Sequence, residues 1–242
     1  MLEPLFFASG EIQLFGIWRA VADAQRVWII CPPFAEEEKS AHRTATEIAL
    51  TLQARGQASL LFCYRGTGDS EGEFAKATLA DWRADIAAAV ALAQQRAPGA
   101  ETELLGVRLG ASLAYLERER ASRLLLIEPI LSGRSMLSQL NMRQKMRVQM
   151  AGGGAALSTG DLDGWPLSDK LRDDLNALDL RDAAPFDGQS RVWNVGPRDA
   201  IAPPLQAFAE QIGAQSRAIV MPAFWNLLDY TPPTPLLEAL GD

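Results

Sequence analysis

Apolar residues in this chain form short continuous runs, which are separated by longer segments with helical spacing. The run at residues 26–31 has no polar alternation, and such a run predicts a strand buried on both faces. The next segment, residues 40–55, places apolar side chains on one helical face. The same alternation continues with strands predicted at 59–64, 104–107, 123–129, 191–196 and 217–221, and helices at 78–97, 111–120, 203–212 and 236–240.

A hairpin opens the predicted sheet, because residues 5–8 and 12–19 alternate around the turn signal Ser9-Gly10. The repeated strand and helix units that follow favour parallel strands joined by crossover helices. The predicted fold class is therefore α/β. We expect a mostly parallel, doubly wound sheet of about eight strands in a single domain, residues 1–242.

The alternation stops between residues 131 and 187, which predicts a small cap inserted into the domain. Met142, Met146 and Met150 recur every four residues in this segment, and a triple glycine follows at 152–154. A methionine stripe is most often ordinary packing, although adaptable apolar side chains are useful on the underside of a cap. We expect the segment to move more than the sheet does.

Composition narrows the classes of function. The 242 residues are 48% hydrophobic and carry a net charge of -7 without a long basic run, which argues against nucleic-acid binding. No apolar run approaches the ~18 residues of a membrane span, and the amino terminus lacks a basic flank, so we expect a cytoplasmic protein without stable membrane insertion. Cys31 and Cys63 end two predicted strands and are expected to be buried thiols rather than a disulfide.

The stretch at residues 104–111 predicts a strand that turns sharply, between Gly106 and Gly110, into an apolar helix. This is the shape of the Gly-x-Ser-x-Gly nucleophile elbow, the turn that carries the catalytic serine of α/β-hydrolases. Here Arg108 occupies the apex. A guanidinium has no nucleophilic oxygen and stays protonated, so it can neither attack a carbonyl nor accept a proton.

The other members of a Ser-His-Asp triad are also incomplete. Asp199 stands where the acid belongs, but the segment after the last strand, residues 222–227, contains no histidine. The single histidine, His42, lies in the first crossover helix and is expected to face solvent. Ser70 and Ser112 have no base placed beside them by sequence. No metal-ligand spacing and no cofactor motif is present, so we expect neither.

Arg108 also lies at the amino terminus of a helix, where unpaired N–H groups favour an anion. The candidate ligand-binding residues are those of the turn, the loop after the first parallel strand and the two triad-like positions: Phe34, Ala35, Glu36, Arg108, Leu109, Asp199 and Trp225. A structural alternative is that Arg108 pairs with Asp199 or Glu128 and closes the pocket.

Several stretches together resemble the exosortase A system-associated hydrolase 2 family: residues 32–37 (Pro-Pro-Phe-Ala-Glu-Glu) with Lys39-Ser40, Gly66–Ser70 with Gly72 and Phe74, Trp82 with Asp85, 106–111, and Glu128-Pro129 with Ser132-Gly133. The resemblance implies an α/β-hydrolase fold. It also implies a bacterial setting in which exopolysaccharide production is coupled to protein sorting. By position in that fold, the loop at 34–37 would supply an oxyanion-hole N–H.

These observations predict an α/β-hydrolase-fold protein that lacks serine-hydrolase chemistry and binds a small anionic molecule or a protein partner of the exopolysaccharide and sorting pathway. Two alternatives stay open. One is an active esterase or thioesterase that uses an unconventional nucleophile. The other is a structural interaction protein, which a pocket filled with side chains and an exposed apolar patch on the cap would favour.

Overall fold

The computed structural model describes residues 2–150, 161–162, 164–227 and 229–241. The opening hairpin consists of β1 (Leu2–Ser9) and β2 (Ile12–Arg19), in antiparallel register. The elements that follow are β3 (Arg26–Cys31), α1 (Glu36–Ala54), β4 (Ala58–Phe62), α2 (Leu79–Arg96), β5 (Glu101–Val107), α3 (Leu109–Leu116), β6 (Arg123–Ile127), α4 (Gly133–Met150), β7 (Asp161–Leu162), β8 (Trp165–Pro166), α5 (Asp169–Ala177), β9 (Gln189–Gly196), α6 (Pro203–Ile212), β10 (Gln215–Val220) and α7 (Thr234–Ala239).

Eight strands form one sheet in the order β1-β2-β4-β3-β5-β6-β9-β10. The strands from β4 to β10 along this order are parallel, and only the opening hairpin is antiparallel to its neighbours. The prediction of a mostly parallel sheet of about eight strands is therefore confirmed. All parallel strands end at the same edge, so the loops after β3, β5, β6 and β9 meet there.

Two apolar layers cover the sheet. On the first face, Trp82 and Ile86 of α2, Leu113 of α3 and Phe208 of α6 pack against the strands. On the second face, residues of α1 and α7 such as Ile48 pack against the alternate residues of the same strands. This double covering is the reason that the parallel strands are apolar at consecutive positions.

The predicted signals locate the helices but not all of their ends: α3 spans Leu109–Leu116 where 111–120 was expected, and α7 spans Thr234–Ala239 where 236–240 was expected. Thr78 and Asp81 form the capping box expected at the start of α2. By contrast, α1 begins at Glu36 rather than at residue 40, because Ala35 adopts φ 53° and turns the chain directly from the β3 loop into the helix. Glu36, Glu37 and Glu38 consequently occupy the first turn of α1, at the same edge as Arg108.

The segment 131–187 lies between β6 and β9 and contains α4, β7, β8 and α5. The triple glycine at 152–154 lies outside the described residues, and whether the segment moves stays a prediction. Met142 and Met146 on α4 are 56% and 54% exposed, so the expectation of ordinary packing is wrong for these two methionines. Among the residues that the structure describes, no helix is long and apolar enough to cross a membrane.

Candidate functional site

The turn between β5 and α3 has the strained backbone of a nucleophile elbow. Arg108, at its apex, adopts φ 56° and ψ -122°, a conformation that costs a residue with a Cβ about 1–3 kcal/mol. Both flanking glycines are needed sterically. A Cβ on Gly106 would lie 2.3 Å from Cα of Ala111, and a Cβ on Gly110 would lie 2.2 Å from the carbonyl oxygen of Pro32.

The loop after β3 repeats this conformation. Ala35 adopts φ 53° and ψ -123° immediately before α1, as Arg108 does before α3. In an α/β-hydrolase the oxyanion hole consists of one N–H from this loop and one from the residue after the nucleophile. Leu109 is the first residue of α3, so its N–H has no acceptor within the helix. The backbone of an anion hole is thus present although the serine is not.

Arg108 is paired with a carboxylate from the neighbouring loop. Its Nε donates to Oε2 of Glu37 at 3.2 Å, and its Nη2 donates to Oε1 at 3.3 Å. The side chains of Arg108 and Glu37 are 16% and 7% exposed, so the pair is largely removed from water. The expectation that Asp199 or Glu128 would be the partner is wrong, because α1 begins early enough to bring Glu37 beside the turn.

Trp225 occupies the place after the last strand where a hydrolase carries its histidine. It lies in a short 3-10 helix and is buried, and the guanidinium of Arg108 stands 5.2 Å from the centre of its ring. A cation–π contact of this kind stabilises the positive charge of the guanidinium. Asp199 is exposed in the loop after β9, and His42 is exposed on α1 as expected. The structure therefore joins Arg108 with Trp225 but not with Asp199.

Glu128 also differs from the expected arrangement. It follows β6 with φ 48°, and its Oε1 accepts hydrogen bonds from the amide side chain of Asn194 and from the N–H of Val195 at 2.8 Å. Burial raises the pKa of Glu128, while the Val195 hydrogen bond and the charge of Arg108 oppose that shift. Glu128 therefore ties β6 to β9 and acts on Arg108 only at a distance.

The two serines considered as substitute nucleophiles are both engaged in structural hydrogen bonds. Ser112 is completely buried, and its Oγ donates to the carbonyl of Ile130 at 2.9 Å. The Oγ of Ser70 donates to the carbonyl of Cys63 at 2.7 Å and accepts from the N–H of Phe15 at 2.8 Å. Neither hydroxyl has a general base as partner, so neither has the geometry of an activated nucleophile.

Aromatic side chains fill the interior beside the elbow. Phe34 packs against Phe74 and Trp82 with ring centroids 5.9 and 5.8 Å apart, and Trp165 of β8 lies 4.7 Å from Phe74. The cavity left between these rings and Leu109 has a volume of only about 10 Å³, which is about one water molecule. A substrate acyl group therefore has no room on this side of Arg108.

Open space lies on the other side of Arg108, between the elbow and α4. A cleft of about 300 Å³ is lined by Arg108 and Glu37, by the exposed Met142 and Met146, and by Arg143, whose Nη1 donates to Oδ1 of Asn226 at 2.8 Å. Sequence reasoning identified the methionines but did not connect them with Arg108. The four-residue spacing of Met142 and Met146, with an arginine between them, was the available signal.

Glu36, a candidate binding residue, points toward the cap rather than toward Arg108. It accepts a hydrogen bond from Nζ of Lys39 at 2.8 Å and one from Nε1 of Trp165 at 3.4 Å. The ammonium of Lys39 lies 5.3 Å from the Trp165 ring. This small polar group connects α1 to β8, and therefore the sheet to the inserted segment.

Glu38 is the most strongly perturbed carboxyl near the site. It borders both the small aromatic cavity and a second crevice beside Cys63. Burial raises its pKa to about 7, with only partial compensation from Lys39.

Both cysteines are free thiols. Burial raises the pKa of Cys63 to about 11, and the charge of Glu38 adds to that shift. The expectation of thiols rather than a disulfide is confirmed, but only Cys31 is fully buried, whereas Cys63 is partly exposed.

Glu38→Gln is expected to stabilise the protein above pH 7 by about 2 kcal/mol and to change little below pH 4.5. A folded-state pKa that lies above the unfolded one favours the folded protein at low pH, and this advantage is lost as the pH rises to about 7. Urea unfolding at several pH values measures the difference. The exposed Glu119→Gln is the control, and an equal response of both variants to pH would contradict the assignment.

Among the described residues, no group of three or more His, Cys, Asp or Glu side chains could hold a metal ion. The arrangement at the elbow instead offers fixed positive charge. Arg108, the helix terminus below it and Arg143 across the cleft all favour an anion, and the exposed methionines offer an apolar surface beside them.

The chain matches no protein-family model, and no curated protein sequence matches it either. Its structure is similar to those of several enzymes. Est1E from Butyrivibrio proteoclasticus, whose structure has ferulic acid bound, superposes with a TM-score of 0.66 at 20% identity, covering 98% of this chain and 96% of that one. An esterase from Pyrococcus furiosus gives a TM-score of 0.65 at 16% identity, covering 100% and 89% of the two chains.

A proline iminopeptidase-related protein from Thermus thermophilus gives a TM-score of 0.67 at 16% identity and covers 99% of this chain and 96% of its own. These similarities extend over nearly the whole chain, and they confirm the predicted α/β-hydrolase fold. At such low identity they establish the fold and not the activity.

Proposed function

We propose that this protein binds a small amphiphilic anion, a carboxylate or phosphate monoester with an apolar chain, in the cleft between Arg108 and α4, and that it performs no serine-hydrolase chemistry. The observation that carries the proposal is the replacement of the nucleophile by a guanidinium that faces an open, methionine-lined cleft. The hydrolase fold thus retains its anion-binding position with an arginine in place of the reacting group.

The absence of triad chemistry follows from three places in the fold. The apex of the elbow carries Arg108, the position after the last strand carries Trp225, and His42 is exposed on α1. Removing triad members from a serine hydrolase costs orders of magnitude in rate, and here both the nucleophile and its base are replaced.

The balance of charge in the cleft supports an anionic ligand. Glu37 compensates Arg108, whereas Arg143 donates to the neutral amide of Asn226 and has no carboxylate partner among the described residues. The cleft therefore carries about one unbalanced positive charge in a protein whose net charge is -7. An anion bound by Arg143 would restore neutrality and would also receive the field of Arg108.

The methionines support an apolar chain on the same ligand. Met142 and Met146 are more than half exposed and flank Arg143, with Leu140 and Met136 deeper in the cleft. Thioether side chains adapt to flexible apolar groups, and their exposure costs free energy that a bound chain would recover. The resemblance described above adds a setting: a cytoplasmic role beside exopolysaccharide production and protein sorting.

A second candidate function is that of an interaction protein without a small-molecule ligand. The observation that favours it is the interior beside Leu109, which aromatic rings fill almost completely, together with the exposed methionines of α4. An acidic protein partner could cover the same cleft. The two candidates differ in whether a small amphiphile is sufficient for binding.

Decanoate and decyl phosphate are expected to raise the melting temperature of the wild-type protein, because a ligand that binds only the folded state stabilises it by mass action. Acetate and inorganic phosphate should give a much smaller shift, since they lack the apolar chain. Arg143→Gln is expected to remove most of the shift while the protein remains folded. Arg96→Gln, an exposed arginine paired with Glu3, is the matched control.

The second arm of this test concerns catalysis. We expect no labelling by a serine-directed fluorophosphonate and no turnover of p-nitrophenyl acetate above a heat-treated sample. Arg108→Ser alone should not restore activity, because no histidine would activate the new hydroxyl. Labelling of any serine would support the unconventional hydrolase instead, and an unchanged melting temperature with both amphiphiles would leave the interaction protein as the better account.

A further inference from the structure

A second charged cavity lies at the edge of the sheet opposite to the elbow, where the parallel strands begin. Its volume is about 600 Å³, and four arginines line it: Arg26 at the start of β3, Arg55 after α1, Arg123 at the start of β6 and Arg191 in β9. The rest of its wall comes from polar side chains, the edge of Trp28 and the end of the chain after α7: Gln57, Gln189, Ser190, Gln215 and Leu240.

Strand geometry explains why these side chains converge. Arg26, Arg123 and Arg191 each precede by two positions a residue that packs on the second face of the sheet, beneath α1 and α7. Successive residues of a strand alternate between faces, so all three arginines point to the second face. Arg55 follows the end of α1 and forms part of the cavity wall on the side of the helices. Its Nη2 donates a hydrogen bond to the carbonyl of Leu237 at 3.1 Å.

Carboxylates compensate only part of this charge. Glu103 is completely buried and pairs with Nε of Arg123 at 3.1 Å and with Nε of Arg26 at 3.5 Å. Glu101 lies farther from Arg123, at 3.9 Å. Arg55 and Arg191 have no carboxylate within ion-pair distance among the described residues. Among the residues that the structure describes, four positive charges thus face two negative ones, in a protein that is acidic as a whole.

The excess of positive charge acts on the guanidinium of Arg191. Burial lowers the pKa of Arg191, and repulsion from Arg123, Arg217 and Arg26 adds to the shift against the opposing charge of Glu103. The guanidinium also lies over the ring of Trp193, with its central carbon 5.6 Å from the ring centroid. A partly buried cation that is crowded by like charges costs stability unless an anion compensates it.

We propose that this cavity is a binding site for a phosphorylated small molecule of the diphosphate class, separate from the cleft at Arg108. Arg55, Arg123 and Arg191 line the cavity from three elements, and recognition of several phosphate oxygens requires several cationic side chains. The volume accommodates a diphosphate together with a further polar group such as a sugar, for which the glutamines of the wall supply hydrogen bonds.

Isothermal titration with inorganic pyrophosphate at low ionic strength tests this site. We expect saturable binding with a Kd below about 1 mM, and a loss of about 10-fold or more in affinity in Arg191→Gln and in Arg55→Gln. These two arginines are chosen because neither forms an ion pair with Glu103, which pairs with Arg26 and Arg123, so both variants should fold. Their melting temperatures, measured without pyrophosphate, verify this.

The matched control is again Arg96→Gln, which removes one exposed positive charge that is not part of the cavity wall and should leave the affinity for pyrophosphate unchanged. Absence of saturable binding would overturn the proposal. So would an equal loss of affinity in Arg96→Gln and Arg191→Gln, because it would show general attraction of an anion rather than a built site.

Discussion

Replacing Gly110 with alanine is expected to destabilise the folded protein by more than about 3 kcal/mol. The added Cβ would lie 2.2 Å from the carbonyl oxygen of Pro32 and 2.3 Å from that of Cys31. Both contacts are with backbone, so relief requires the elbow helix α3 to move away from β3. Local helix propensity predicts the opposite sign, because alanine is favoured over glycine within a helix by about 1 kcal/mol.

Urea unfolding of Gly110→Ala measures this effect, and Gly196→Ala is the matched control. Gly196 ends β9 at the same edge of the sheet, yet a Cβ there would meet no atom within 4 Å. The control should therefore change stability by less than about 1 kcal/mol. If Gly110→Ala were as stable as Gly196→Ala, α3 would not approach β3 as closely as the elbow geometry requires.

Arg108→Met is expected to lower stability by about 3 kcal/mol, and adding Glu37→Gln should recover most of that loss. The single change leaves the carboxylate of Glu37 almost buried and without its partner, which is more costly than removing both charges. Methionine adopts the strained turn at the same cost as arginine, since both have a Cβ. The change therefore reports on the charge and not on the backbone.

A double-mutant cycle of Arg108→Met and Glu37→Gln isolates the coupling free energy between the two side chains. The exposed pair of Lys76 and Glu73 provides the comparison, for which a coupling of at most about 1 kcal/mol is expected. Equal coupling in the two cycles would contradict a desolvated ion pair at the elbow. In that case the arginine would be free for ligand without any competition from Glu37.

The pairing of Arg108 with Glu37 also bears on ligand binding. An anion in the cleft has to approach a guanidinium that is already compensated, whereas Arg143 is exposed and, among the described residues, donates to the neutral amide of Asn226. For this reason the proposed binding depends more on Arg143 than the position of Arg108 at the elbow would suggest. Sequence reasoning had assigned the binding to Arg108 and left Arg143 out of the site.

Much of the fold could be predicted from the sequence because it depends on local periodicity. Continuous apolar runs such as residues 26–31 and 123–129 identify strands covered on both faces; the first occurs where it was predicted, and the second ends two residues early, at Ile127, because Glu128 turns the chain with φ 48°. The glycines around Arg108 identified the elbow, since only a close approach of backbones requires both of them. The missing histidine after the last strand was likewise visible from the order of the elements.

The partners of charged side chains were decided only by tertiary structure. Arg108 and Glu37 are 71 positions apart, and they meet because Ala35 turns the chain so that α1 begins four residues earlier than its apolar periodicity indicates. No local pattern distinguishes Glu37 from Asp199 or Glu128, which follow neighbouring strands at the same edge. The choice depends on loop geometry, which apolar spacing does not encode.

The packing of distant segments also decides which residues line the cleft at Arg108 and the cavity at the opposite edge of the sheet. Arg143 and the exposed methionines face Arg108 only because α4 packs across the carboxyl edge of the sheet. Arg55 and Arg191 line one cavity because α1 ends at the edge of the sheet where the parallel strands begin. The sequence by itself determined the sheet and the elbow with Arg108 at its apex, since each depends on residues close together in the chain. Tertiary structure decided which charges face one another, because that depends on how distant segments pack.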